Sequence, residues 1–584
     1  MAGFEIDRLL AVENVQTPSV RPDGGIVFLS DVTGSLQVWE MDGPGRWPTQ
    51  RTVHDGGVQF VSHSPTRREF LFGSDDEGNG HTQLYLVDDA TPRRLTDADA
   101  VHRFGGWGPD GDRIAVASNR RRPEAFDVYV TDRRGEERLV YEADGWLDPA
   151  GWHPDGDRLV VIGGASNEDV ELFEIDVATG RRRHLTPFDD AVRFSSPNWA
   201  DDAVYLVTDH GADTRYVARL ADGTLTPIAG TDDHDVAGVA YHHPSRRLAF
   251  GRNVNGVSRV VTGRVAGDRL DRFPEPDLPA GVAGEATFGP DGERLTLTVT
   301  TRRHPPDVYR IDVTTGAVTR WTTAATGGIP RDQFHEPEPV RYDADDGLAI
   351  PAWLTLPPNP DGPVPAVVDF HGGPERQRRP GFRALTQYLT SRGIAVLEPN
   401  VRGSTGYGRR YAALDDGRKR ADAVRDAVQA ARFLDDHPRV DGDRVAAYGE
   451  SYGGFLALAA VTHADRFAAA VSVSGIVDLV AFLEDTAGWR RRRREAEYGS
   501  LDEHRAFLAD LSPANRLDRL DVPVALVHGE NDPRVPVDAV REFADDAPVP
   551  VETQFLPGEG HGLRRAESRS TAFAAVARFL TDRL

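Results

Sequence analysis

The chain has 584 residues, 39% hydrophobic and 27% charged, with no cysteine and a formal charge of −24. That length exceeds what one hydrophobic core serves, so two or more domains are expected, while disulfides and thiolate metal sites are excluded. So acidic a surface argues against nucleic acid as a partner. It suits a protein kept soluble where salt screens self-repulsion, which points to a halophilic, archaeal source.

The N-terminus, Met1 to Asp7, lacks the basic and then apolar pattern of a signal peptide. No apolar run is long enough to span a bilayer. A cytoplasmic protein with no membrane partner is expected. The basic residues are all arginine except Lys419.

From about residue 20 to 325 one pattern recurs. A strand leads to a Pro-Asp-Gly turn, a second strand rich in valine and leucine follows, and then come a third of the type L-Y-x-V-D and a short closing strand. The clearest copies of the turn are Gly108 to Val116, His153 to Val161 and Gly289 to Leu297. Pro-Asp-Gly between alternating apolar runs is a turn signal with a mechanism. Copies begin near residues 20, 58, 101, 146, 192, 236 and 281. A period of about 40 to 45 residues with four strands per unit predicts a seven-bladed β-propeller. The units around Trp199 to Asp202 and His242 to Ser245 are degenerate.

The period breaks near Gly327 to Pro330. We divide the chain into an N-terminal segment over 1–15, a propeller over 16–328 and a second domain over 329–584. In that domain short apolar strands, such as Val364 to Phe370 and Val522 to Gly529, alternate with helical stretches, such as Ala421 to His437. That order predicts a mostly parallel α/β sheet.

The segment Gly449-Glu-Ser-Tyr-Gly-Gly454 lies between an apolar strand and an alanine-rich helix. This is the setting of a nucleophile elbow, with Ser451 at its tip. Two later strands end in glycine-bearing loops, one holding Asp532 and the other His561. Ser, Asp, His is the α/β-hydrolase order, and each residue sits at the carboxyl end of a strand. The histidine takes the serine proton and the aspartate orients the histidine. Acyl transfer also needs an oxyanion hole. Its expected donors are the backbone N–H groups of Tyr452 and of Gly373 in the loop His371-Gly-Gly-Pro374. Pro374 has no N–H to give, and His371 reads as a loop-ordering residue. No metal or cofactor is called for.

These motifs, with Arg402 to Gly408, Glu495 to Gly499 and Gly558 to Gly562, resemble the prolyl oligopeptidase family of serine peptidases. The closest likeness is to its acylaminoacyl-peptidase and dipeptidyl-aminopeptidase-like branch. The resemblance implies an N-terminal seven-bladed β-propeller capping a C-terminal α/β-hydrolase domain, and short peptides as substrates. It also implies that residues 1–15 pack back on the hydrolase domain, and that the chain is either a monomer or a homo-oligomer. Arg534 would hold a substrate carbonyl near the second residue before the scissile bond. Val477, Phe482 and Trp489 are candidates for an apolar pocket, implying an apolar residue before that bond.

The paired glutamates of dipeptidyl peptidases have no clear counterpart here. Glu136 and Glu137 read as a solvated blade edge, and Asp76 and Glu77 as a solvated turn. That leaves an acylaminoacyl-peptidase or oligopeptidase as the leading expectation, with a dipeptidyl aminopeptidase or a carboxylesterase as alternatives. The run Arg490 to Arg494 reads as a charged helix pairing with acidic neighbours.

Overall fold

The computed structural model describes residues 3–88, 91–188, 190–358, 360 and 362–584, so Met1 and Ala2 of the N-terminal segment lie outside the described residues. Seven antiparallel sheets come first. They are formed by residues 15–50, 60–94, 102–141, 147–184, 194–229, 236–272 and 282–320, each from consecutive strands. These are the blades of a seven-bladed β-propeller.

The recurring turn explains the recurring blade. The Asp110, Asp155 and Asp291 carboxylates accept the backbone N–H two residues on, at 2.9, 2.8 and 2.9 Å. Gly111 and Gly156 follow at φ 73° and 76°, in the left-handed region. The degenerate copies close with backbone bonds, joined in one of them by His242 Nδ1 at 2.8 Å from Ser245 Oγ. Ala200 N–H donates to Ala203 O at 2.7 Å, and Arg246 N–H to His243 O at 3.2 Å.

Side chains facing the next blade make the inter-blade core, as where Ala115 and Val128 meet Leu159, Val161 and Phe173. The ring closes the same way. Val15, Ile26, Phe28 and Met41 of the first blade pack on Val308, Trp321 and Ala324 beside the last. No strand is shared between these two sheets.

A short helix, α1 (Ile6–Leu10), precedes the propeller. The second domain is built on strands β1 (Glu338–Asp343), β2 (Ala349–Thr355), β3 (Val364–Phe370), β4 (Ala395–Pro399), β5 (Val440–Glu450), β6 (Ala469–Val473), β7 (Val524–Gly529) and β8 (Val551–Leu556). Their order in the sheet is β1-β2-β4-β3-β5-β6-β7-β8. The β1–β2 and β2–β4 pairs are antiparallel and the rest parallel. This is the α/β-hydrolase fold.

Both faces of the sheet are covered, which is why its strands are apolar throughout rather than alternating. Ala366, Val368, Phe370 and Ala447 face α3 (Arg420–Asp435) and α4 (Tyr452–His463). Val367, Ala446 and Tyr448 face α2 (Ala384–Ser391) and α6 (Ala566–Arg583). Ile6 and Leu9 of α1 join that second core beside Leu385 and Leu580. Another helix, α5 (Gly488–Tyr498), lies at the propeller boundary, where the Trp489 ring meets Phe126 edge-on at 5.3 Å.

The two domains are tied by a buried ion network. Arg302, just past a last-blade strand, is 2% exposed and pairs with the fully buried Glu398 of β4. Arg383 Nε lies 3.3 Å from the same carboxylate, and its Nη2 lies 3.0 Å from Asp369 of β3. Removing one member of such a set strands the others in a low dielectric. Glu398→Ala is therefore expected to lower unfolding free energy by about 3–5 kcal/mol, read from the denaturant midpoint. A change below about 1 kcal/mol would show the network to be energetically neutral.

Candidate active site

The elbow is a steric construction. Ser451 sits at φ 58° and ψ −119°, a strained backbone for a residue with a side chain. The turn fits only because its neighbours are glycine. A Cβ on Gly449 would lie 2.0 Å from Gly453 O, and one on Gly453 2.1 Å from Phe370 O. Ser451 N–H donates to Val473 O at 2.9 Å, tying the tip to the adjacent strand. The helix that follows, α4, is buried over almost its whole length.

Three loops converge on this tip. His561 Nε2 lies 3.0 Å from Ser451 Oγ, and His561 Nδ1 lies 2.7 Å from Asp532 Oδ2. Asp532 is 8% exposed and its other oxygen accepts the Arg534 and Val535 N–H groups at 2.8 and 3.1 Å. Burial opposes the Asp532 charge, but hydrogen bonds from His528 and His561 outweigh it and hold the carboxyl well below the usual range. An ionised Asp532 requires the His561 proton on Nδ1, leaving Nε2 to accept from serine. Burial lowers the His561 pKa, with the Asp532 hydrogen bond and charge opposing it.

The His561 loop is held from both sides. A Cβ on Gly529 would meet Gly560 O at 2.3 Å, and one on Gly560 would meet Gly78 O at 2.0 Å. Gly78 belongs to the second blade. Asn531 Nδ2 also donates to Glu77 O at 3.0 Å, and Arg564 Nη1 lies 2.5 Å from Asp75. The turn from Asp75 to Asn79 does leave Asp76 and Glu77 exposed, as its composition suggested. Its backbone is clamped against the histidine loop, a long-range contact that local composition does not encode.

The Tyr452 and Gly373 N–H groups make no hydrogen bond within the described chain. Gly373 has φ 136°, and a Cβ there would meet Glu375 N at 2.8 Å. Neighbouring Gly372 is close to the elbow, since a Cβ on it would come within 3.4 Å of Ser451 Cβ. Tyr452 is anchored from behind, its hydroxyl donating to Asp415 Oδ2 at 3.2 Å, and Asp415 pairs with Arg420 at 2.8 Å. His371 is buried, with ring nitrogens 2.8 Å from Ser404 Oγ and 2.9 Å from Gly372 O.

Ser451, His561, Gly373, Arg534 and Phe482 line one cavity of about 580 Å³. Val477 and Trp489 do not line it. Val477 is 1% exposed and belongs to the domain core. Trp489 packs on the propeller, with Arg103 over its ring at 5.1 Å. Ile476 and Tyr498 supply the apolar wall beside Phe482 instead. Tyr498 stands in the Glu495 to Gly499 motif, so that motif was the available signal. Among the described residues no group of three or more His, Cys, Asp or Glu could hold a metal, and no helix is long and apolar enough to cross a membrane.

With this geometry in place, likeness to known proteins is informative. Residues 380–584 match the prolyl oligopeptidase family. Dipeptidyl aminopeptidase BIII of Pseudoxanthomonas mexicana is 26% identical over 647 residues, covering 100% of this chain and 89% of that protein. Dipeptidyl-peptidase 5 of Porphyromonas gingivalis is 25% identical over 588 residues, covering 95% and 84%. A puromycin-hydrolysing peptidase of Mycobacterium tuberculosis shares the fold, with a TM-score of 0.83 at 22% identity over 99% of this chain and 95% of that one. The chain is a serine peptidase, and the part of it that carries Ser451, Asp532 and His561 is similar to the prolyl oligopeptidase family.

Proposed function

We propose that this peptidase hydrolyses short peptides through an acyl-enzyme on Ser451. The observation that carries the reading is the Ser451–His561–Asp532 relay at 3.0 and 2.7 Å, with two unengaged backbone N–H groups beside it. Ser451 Oγ attacks the scissile carbonyl as its proton passes to His561 Nε2. The resulting oxyanion takes hydrogen bonds from the Tyr452 and Gly373 N–H groups, strengthened by the N-terminal end of α4. His561 then protonates the leaving amine, and water repeats the sequence to release the acid. The 580 Å³ cavity and the blade turn pressed on the His561 loop favour short chains over folded proteins. Ile476, Phe482 and Tyr498 would receive an apolar side chain before the scissile bond.

We read a free amino terminus as the end recognised. Glu375 lies two residues past Gly373. Burial and the nearby Glu497 charge raise its pKa to about 7, Arg193 opposes them, and Glu168 of the fourth blade adds to the rise. Carboxylates crowded together in this way would be relieved by a substrate ammonium. The two relatives that span nearly the whole chain bear dipeptidyl names. Sequence reasoning sought adjacent glutamates, whereas Glu375 and Glu168 come from two domains and Glu168 is also paired with Arg193. Glu137 begins the closing strand of the third blade and pairs with Arg120. A second reading keeps the triad and takes acylated or internal peptides, as an acylaminoacyl-peptidase or oligopeptidase would. Arg534 in the cavity favours either peptide reading over a carboxylesterase.

Ser451→Ala is expected to reduce kcat by about 10⁴-fold or more, and Asp532→Asn by about 10⁴-fold, with the fold unchanged by circular dichroism. Full activity in Ser451→Ala would end the proposal. The second expectation concerns pH. His561 must be neutral to take the proton, and its pKa lies below the ordinary 6.5. Activity should therefore persist as pH falls through 6.5 and be lost only below it. An acid limb of kcat/KM above 6.5 would contradict this assignment.

A third measurement compares a free dipeptidyl anilide, an acetyl-aminoacyl anilide, an internally placed anilide and a matched ester. The free dipeptide should lead in kcat/KM by about tenfold or more, and Glu375→Gln with Glu168→Gln should erase the lead. A lead for the acetylated substrate would restore the acylaminoacyl reading, and a lead for the ester the carboxylesterase one.

A further inference from the structure

The chain carries a formal charge of −24, yet seven arginines and two carboxylates, Asp75 and Glu450, line its catalytic cavity. Four of these cations are matched. Arg378 and Arg383 share Asp369 and Glu398, Arg494 pairs with Glu497, and Arg564 pairs with Asp75. Three are not. Among the described residues no carboxylate lies within ion-pair distance of Arg376, Arg490 or Arg534, and none of their guanidinium groups makes a hydrogen bond.

These three come from different loops. Arg376 follows the oxyanion loop, Arg534 follows Asp532, and Arg490 opens α5, the first residue of the five-arginine run. Later members of that run find partners, Arg491 with Glu495 and Arg494 with Glu497. Arg490 is the member that faces the cavity with its Nε buried and unpartnered. The three also repel one another. Burial first, and the Arg534 charge after it, lower the Arg490 pKa to about 9. Arg534 is in turn lowered by burial and by Arg376, with Asp532 opposing. Unpaired cations gathered in a partly buried cavity are costly unless a ligand neutralises them.

We propose that Arg376, Arg490 and Arg534 form an anion-binding subsite that favours peptides with Asp or Glu as the second residue before the scissile bond. The position follows from the cavity. The first side chain before that bond takes the wall of Ile476, Phe482 and Tyr498. In an extended substrate the next side chain projects to the opposite side. The loop carrying Arg534 and the loop carrying Arg376 meet in this same cavity, with the two guanidinium groups near enough to repel. A carboxylate meeting two guanidinium groups makes charge-assisted bonds that its amide isostere does not.

The subsite rests on the hydrolytic reading only for where the scissile bond lies, so it is tested by binding without turnover. Ser451→Ala protein is titrated calorimetrically with Glu-Phe-Ala-amide and Gln-Phe-Ala-amide, each with a free and an acetylated amino terminus. In at least one pair the Glu peptide should bind about tenfold tighter at low salt, and the ratio should shrink as salt rises. Arg490→Gln should cut the ratio about threefold or more, and so should Arg376→Gln, whose exposed side chain makes a folding defect less of a concern. Equal binding of Glu and Gln peptides in both pairs would overturn the proposal, as would a ratio unmoved by either substitution. A preference for the free-acid form of Gln-Phe-Ala over its amide, with no Glu–Gln difference, would put the anion at the peptide's far end and overturn it too. Failure of the unmodified protein to cleave Gln-Phe peptides would count against the hydrolytic reading instead.

Discussion

The site depends on one backbone turn that leaves no room for side chains. Ser451 is held at φ 58° because β5 must reverse directly into α4, and Gly449 and Gly453 let the two backbones touch. That strain costs of order 1–3 kcal/mol and persists only where surrounding structure over-determines it. Here the surroundings are β5 at the middle of the sheet and α4 within its core. The same turn has three consequences. It lifts the serine hydroxyl clear of the sheet, frees the Tyr452 N–H, and sets the N-terminal end of α4 directly after Ser451.

The other parts of the site are brought to that fixed point by contacts across the domain boundary. The Gly560 backbone lies between Gly529 on one side and Gly78 of the second blade on the other. The propeller therefore helps set where the histidine stands as well as roofing the cavity. Arg302 reaches from the last blade to Glu398, which shares Arg383 and Arg378 with Asp369 at the end of the strand leading into the oxyanion loop. Separation of the domains would disturb the histidine and this loop together. Access to the cavity and the placing of the histidine thus share one interface.

Much of this was legible in the sequence, and the parts that were not have physical reasons. The blades could be counted because Asp110, Asp155 and Asp291 make the same local turn, and local turns are written locally. Ser451, Asp532 and His561 could be named because each follows an apolar strand into a glycine-bearing loop. The apolar pocket was less readable. Val477 and Ile476 are chemically alike neighbours, and only the direction of the chain after β6 decides which faces the cavity. Trp489 looked like a pocket residue but is claimed by Phe126 and Arg103, some 360 residues earlier in the chain. The turn at Asp75 to Asn79 exposes Asp76 and Glu77 as expected, but the contact of its Gly78 backbone with the His561 loop joins two domains and was not legible. The arginine run at 490–494 was read as one charged helix face, whereas a helix turns successive residues to different surroundings.

The role proposed for Ser451 is that of the activated nucleophile of this cavity. Its most direct test is mass spectrometry of the protein after reaction with a fluorophosphonate that labels activated serines. One adduct per chain is expected, carried by the peptide containing Ser451 and absent from His561→Ala. An adduct on a different serine, or labelling of Ser451 that survives loss of His561, would contradict it.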